Sequence, residues 1–159
     1  MILFEEDWGR YPTAIVHYET RNRSWVELAK KLELQGVTNN KFFLSLINPD
    51  LRYVDPWDED LDYETKLAVL MEIKLNPWYF FREIARFDKN ELEGERFYFK
   101  ANRGNIAALW CYFNHQDYNL TQPRQTGKST SSNWLIVWLL FFRYKDSDLF
   151  LLNKDNTLR

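Results

Sequence analysis

The sequence predicts an α/β protein in which a helical region over residues 1–90 leads into the opening of a parallel sheet over 91–159. Three observations carry that expectation. Helix capping signals and one-sided apolar spacing recur up to residue 90. From residue 117 onward the pattern reads strand, loop, helix, strand, the order of a βαβ unit. Aromatic residues are abundant, with 7 Trp, 9 Tyr and 12 Phe in 159 residues, so the chain has the apolar surface to build a packed core.

Taken in order, Ser24 and Glu27 form a Ser-x-x-Glu capping pattern before "VELAKKLEL", and Gly36 stands where a left-handed residue ends a helix, predicting a helix near 25–35. "NKFFLSLIN" reads as a shorter helix stopped by Pro49. "DLDYETKLAVLMEIKL" places Leu67, Leu70, Met71 and Leu75 on one side of a helix running from about Asp62 to Leu75. In "NPWYFFREIARF", Asn76 caps a helix with Pro77 in its first turn, and Trp78, Phe81, Ile84 and Ala85 share a face. The acidic run Asp55 to Glu64 reads as a solvated helix entrance, with a protein-docking surface as the alternative.

The segment "DKNELEGERFYFKANRG" mixes charge with Gly94 and Gly104 and reads as a loop holding a short strand at Arg96 to Lys100; the expected domain boundary falls there. "NIAALWCYFN" follows as a helix, "QDYNLTQ" as a short polar strand, and "KSTSSNWLIVWLLFFRY" as a helix that is apolar nearly all round. A second strand with Leu149 to Leu152 as its apolar stretch, parallel to the first, completes the pattern.

The net charge of −2 gives no global attraction to nucleic acid, but its distribution is uneven. Up to Leu120 there are 15 Lys/Arg against 20 Asp/Glu, and from Thr121 onward 6 against 3. The single cysteine, Cys111, and the two histidines, His17 and His115, offer neither an internal disulfide nor zinc-ligand spacing, as expected for a reducing cytoplasmic setting. The start "MILFEEDWGR" lacks the basic and long apolar regions of a signal peptide, and the apolar run Trp134 to Phe142 is about half of what a bilayer needs. A soluble protein without a membrane partner is the expectation.

The basic end of the chain surrounds its most specific feature. Residues 122–129, Gln122-Pro123-Arg124-Gln125-Thr126-Gly127-Lys128-Ser129, match the phosphate-loop pattern GxxxxGK[ST] except at the leading Gly, where Gln122 stands. Such a loop sets consecutive backbone N–H groups and a helix N-terminus around phosphates, with Lys128 reaching the β and γ groups and Ser129 holding Mg²⁺. The triplet lies where a predicted strand turns into a predicted helix. The bland alternative is an ordinary helix start with a solvated lysine. Pro123 has no N–H and so removes one donor from the loop's leading edge. Arg124 has two readings: an always-charged fork within reach of a γ-phosphate, or a surface arginine paired with a carboxylate.

This run resembles the deviant Walker A loop of the large terminase subunits of tailed bacteriophages, in which an arginine lies inside the loop and the leading glycine is commonly replaced. "LNPWYFFREIARF" also looks like the stretch ahead of the terminase ATPase core. The resemblance spans roughly residues 75–159. It implies a P-loop NTPase of the RecA/ASCE-like kind, incomplete here, that binds ATP and Mg²⁺ and drives double-stranded DNA into a capsid from the host cytoplasm. It also implies a portal protein and a small terminase subunit as partners, and a homo-oligomeric ring. By position, it makes residues Gln122 to Thr130 the nucleotide loop, Ser129 the Mg²⁺ ligand and Arg124 a catalytic arginine finger in cis. An upstream glutamine that reads adenine in such proteins falls near "NRGN", where Asn105 offers the same amide one methylene shorter; the alternative for Asn105 is a polar helix cap.

The pattern also departs from the family. An apolar strand ending in Asp-Glu should follow the second strand to position Mg²⁺ and water, and the chain reaches Arg159 first; the nuclease domain is absent as well. The expectation is therefore the N-terminal part of a motor with little or no activity alone. Two other classes remain open: a fragment of a P-loop helicase or other nucleic-acid ATPase, and a truncated, non-catalytic chain that binds a partner.

Overall fold

The structure, a computed structural model, describes residues 5–88, 96–123, 126–144 and 146–148. Helices dominate them. Short strands β1 (Ile15–Val16) and β2 (Ser45–Leu46) pair antiparallel. Helix α1 (Arg23–Leu34) lies between them in sequence. Helix α2 (Tyr63–Leu75) is followed by α3 (Pro77–Tyr79), which widens into a π-helical turn over Phe80–Ile84. Strands β3 (Arg86–Asp88) and β4 (Arg96–Tyr98) form a second antiparallel pair, with Phe87 opposite Phe97. Helix α4 (Arg103–Phe113) and helix α5 (Lys128–Trp138), again running into a π-helical turn over Leu139–Arg143, complete the described part.

Several local expectations hold for their stated reasons. Gly36 ends α1 in the left-handed region at φ 83°, and the Val37 and Gly36 N–H groups bond to the Leu32 and Glu33 carbonyls, a Schellman closure. Asp62 caps α2 by accepting from the Thr65 N–H at 2.9 Å, and that hydrogen bonding, first of all from the Thr65 hydroxyl, holds its carboxyl below the usual range. Asn76 caps α3 ahead of Pro77.

Others are corrected. The Ser24–Glu27 capping box does not form: Asn22 is the N-cap of α1, and its amide donates instead to the carbonyls of Arg82 and Phe99. The segment around Phe42 to Asn48 is a 3₁₀ turn over Phe42–Leu44 running into β2. Tertiary partners override its helical pattern, because Ile47 and Asn48 donate their N–H groups to the buried Glu72 carboxylate and Arg82 takes the Phe43 and Ser45 carbonyls. Burial pushes the Glu72 carboxyl up.

Helix α2 turns its expected face outward. Val69, Glu72 and Ile73 are buried, whereas Leu67, Leu70, Met71 and Leu75 are exposed. Around α3 and its π turn, Trp78, Tyr79, Phe80 and Phe81 are all buried, so the segment is enclosed on every side rather than on one face.

Residues 116–123 carry no strand. Tyr118 and Leu120 are exposed there, and no neighbouring strand among the described residues supplies the hydrogen bonds that so polar a run would need. The parallel partner expected at Leu149 to Leu152 lies outside the described residues, and both described sheets are antiparallel pairs.

One apolar cluster, from Trp25 through Phe43, Leu46, Val69 and Trp78 to Leu109 and Trp138, joins α1 to α5 across the boundary expected near residue 90. Each large side chain fully withdrawn from water adds about 1.5–3 kcal/mol to its cohesion. Edge-on aromatic contacts carry the cluster onward, Trp78 to Phe113 at 5.3 Å and Phe113 to Trp138 at 5.6 Å between centroids. The Trp138 indole donates to the Ile73 carbonyl at 2.8 Å, fixing α5 against α2. Among the described residues, no helix is long and apolar enough to cross a membrane.

Candidate functional site

The phosphate-loop residues lie between two helix N-termini. Gly127 is the N-cap of α5 at φ 78°, a conformation that favours glycine, and a Cβ there would meet the Asn105 amide nitrogen at 3.3 Å. Glycine offers no side chain, so no side-chain cap closes the first turn of α5. A helix start of that kind presents backbone N–H groups and the positive end of the helix dipole to an anion.

The loop is held from the other side by α4. Asn102 is the N-cap of that helix: its Oδ1 accepts from the Asn105 N–H at 2.9 Å while its Nδ2 donates to the Thr126 carbonyl at 3.1 Å. Asn105 donates to the same carbonyl at 3.1 Å. Two amides thus clamp one loop carbonyl. Asn105 is 2% exposed, and its Oδ1 is a buried acceptor without a hydrogen-bond partner.

Inside the loop, Lys128 folds back over the chain. Its Nζ donates to the Pro123 carbonyl at 2.6 Å and the Gln122 carbonyl at 3.2 Å. The Thr126 hydroxyl donates to the Gln122 side-chain oxygen at 3.0 Å, so Gln122 braces the loop across the position where the pattern has glycine. Its amide also explains Gly104, at which a Cβ would lie 1.7 Å from the Gln122 Nε2. Ser129 is exposed in the first turn of α5, and Thr130 is half-buried beside the cavity described next. Arg124 and Gln125 lie outside the described residues.

A cavity of about 730 Å³ opens beside the loop, and Lys128 and Ser129 do not line it. It is lined by Gln122, Pro123, Thr126, Gly127 and Thr130, by Asn102 and Asn105, and by Phe87, Phe97 and Tyr98 of the β3–β4 pair with Phe99 just after it. Its size falls in the range of small-molecule sites. Sequence reasoning brings the loop and Asn105 together, and the structure does the same. It missed Asn102, legible only as a cap in "NRGN", and the aromatic lining, because the strand expected at Arg96 to Lys100 forms β4 but its partner β3 falls in residues read as helix and loop.

The residues fit a nucleotide. The uncapped α5 N-terminus and Lys128 suit phosphates, and the orphaned Asn105 oxygen suits an amino-bearing base. The donor chemistry for Mg²⁺ is sparse: Ser129 supplies a hydroxyl, and no group of three or more His, Cys, Asp or Glu among the described residues could hold an ion. That suits an ion held chiefly by substrate phosphates and water.

A second polar cluster lies away from the loop. Arg82, fully buried, donates from Nε to Glu83 at 2.7 Å and from its Nη atoms to the Phe43 and Ser45 carbonyls, with His17 Nδ1 3.4 Å away. Burial, and then the Arg82 charge, pull the His17 pKa down. Its saturated bonding makes it a structural centre.

Comparison of the chain with protein-family models, with curated proteins and with solved structures finds no match.

Proposed function

We propose that this chain is the nucleotide-binding, N-terminal part of a viral DNA-packaging motor, in which ATP bound at residues 122–130 drives double-stranded DNA into a capsid. The motor assignment rests on the resemblance of the loop run to terminases, and so do its partners: the portal, the small terminase subunit and sister copies in a ring. The nucleotide assignment rests on one observation. The α5 N-terminus at Gly127, which has no side-chain cap, lines a cavity that also holds, directly beside that glycine, the buried amide of Asn105 with its unpartnered oxygen.

In this reading the N–H groups at the start of α5 and the Lys128 ammonium hold the β- and γ-phosphates. Lys128 exchanges its present carbonyl partners for phosphate oxygens. Ser129 gives its hydroxyl to Mg²⁺, which, when bound, neutralises charge on the phosphates. The clamp from Asn102 and Asn105 keeps the Thr126 carbonyl turned away from the anion. Asn105 has committed its donor to the loop, so it reads the base through Oδ1 alone, accepting from an exocyclic amino group as adenine has and guanine lacks at the same position. The aromatic residues of β3 and β4 provide the surface against which a base stacks.

Competition binding tests the base reading. Asn105→Ala should lower the preference for ATP over GTP by roughly tenfold, the scale of one hydrogen bond to a buried acceptor. A wild-type chain that binds ATP and GTP equally well would remove Asn105 from base recognition.

A further inference from the structure

We propose that the outer face of α2 is a self-complementary interface on which a second copy of this chain docks, with the two α2 helices antiparallel. Helix α2 exposes five large apolar side chains: Tyr63 at 79%, Leu67 at 47%, Leu70 at 48%, Met71 at 47% and Leu75 at 39% of their surface. Their spacing places them on one side of the helix, opposite Val69, Glu72 and Ile73, which face the core. They are five of the fourteen large hydrophobic residues exposed among the described residues, gathered on a single helix. A monomer gains nothing from such a stripe.

Charge selects the occupant and its direction. Glu64 and Lys74 are exposed at the two ends of the same helix and make no ion pair among the described residues. When two α2 helices cross antiparallel about Val69, Glu64 of each copy faces the partner's Lys74, Leu67 faces the partner's Met71, and Tyr63 faces the partner's Leu75. The helix dipoles also oppose each other. A parallel pair would set Glu64 against Glu64 and Lys74 against Lys74. A two-fold contact of this kind is isologous, so one face serves both copies and the contact closes at two, separate from the head-to-tail contacts that a ring uses. A lipid surface would call for a basic polar face, whereas this stripe has one charge of each sign.

Sedimentation equilibrium of the full chain from low micromolar to near-millimolar concentration tests the proposal. A reversible monomer–dimer equilibrium is expected. Leu70→Asp should abolish it without changing the circular dichroism, since Leu70 is exposed and lies outside the apolar core cluster. Glu64→Lys should weaken the dimer roughly tenfold, because two attractive pairs become repulsive. Adding Lys74→Glu to that variant should restore the wild-type constant. A chain that stays monomeric throughout, a dimer indifferent to Leu70→Asp, or a charge exchange that fails to restore association would each overturn the interface. None of these readouts depends on nucleotide.

Discussion

Asn102 and Asn105 illustrate how a few amide atoms position a whole loop. Both donate to the Thr126 carbonyl, but only Asn102 also accepts the Asn105 N–H, so one residue ties the start of α4 to the loop at Thr126. The two duties are separable by substitution. Serine is as good an N-cap as asparagine, yet its hydroxyl is too short to reach the loop carbonyl while capping. Asn102→Ser should therefore leave the thermal midpoint near the wild-type value and weaken ATP binding several-fold, through a loop held by one amide instead of two. Paired melting and binding curves check this; unchanged affinity would mean that Asn105 alone suffices. Gln122 is the other instructive residue. It departs from the phosphate-loop pattern, and its side chain takes up the Thr126 hydroxyl while filling the space that Gly104 leaves open.

At the scale of elements, what the sequence showed depended on where each segment's hydrogen bonds end. Helices α1, α2 and α4 were legible as helices from local pattern, and Gly36 ends α1 as read, although α1 starts at Asn22 rather than from a Ser24–Glu27 box and α2 turns its expected face outward. The Phe42 to Asn48 segment was not, because Glu72 and Arg82, distant in sequence, claim its backbone groups. The outward turn of the α2 stripe was illegible for another reason: apolar residues stand on all sides of that helix, and spacing alone cannot say which side meets the core. The loop at Gln122 to Ser129 is proposed from its pattern and Asn105 from the resemblance; the structure sets the Asn105 amide against the Thr126 carbonyl. The aromatic wall of the cavity required the pairing of β3 with β4, a contact between segments that the sequence does not mark. The βαβ reading rests on residues 149–152, outside the described residues; what is described of 117–123 has no strand partner.

At the scale of the molecule, Arg82 ties the parts together. It is fully buried on the π turn after α3 and bonds to Glu83, Phe43 and Ser45, while its own carbonyl receives Asn22 from the start of α1. Removing it strands the buried Glu83 carboxylate and the Phe43 carbonyl, while the Ser45 carbonyl keeps the Asn76 amide. Arg82→Met should cost about 3–5 kcal/mol of unfolding free energy, measured by urea denaturation, the range for breaking a buried ion pair from one side. A loss below roughly 1 kcal/mol would mean that water reaches the cluster. That framework carries α5 through Trp138, whose indole bonds the Ile73 carbonyl of α2. Under the proposed function, the start of α5 receives nucleotide phosphates. Isothermal titration of the 159-residue chain with ATP and Mg²⁺, beside Lys128→Ala, tests it most directly. Saturable binding at one site is expected, with at least a tenfold loss of affinity in Lys128→Ala, whose melting curve stays near wild type. No binding at millimolar ATP, or equal affinity in the two proteins, would contradict it.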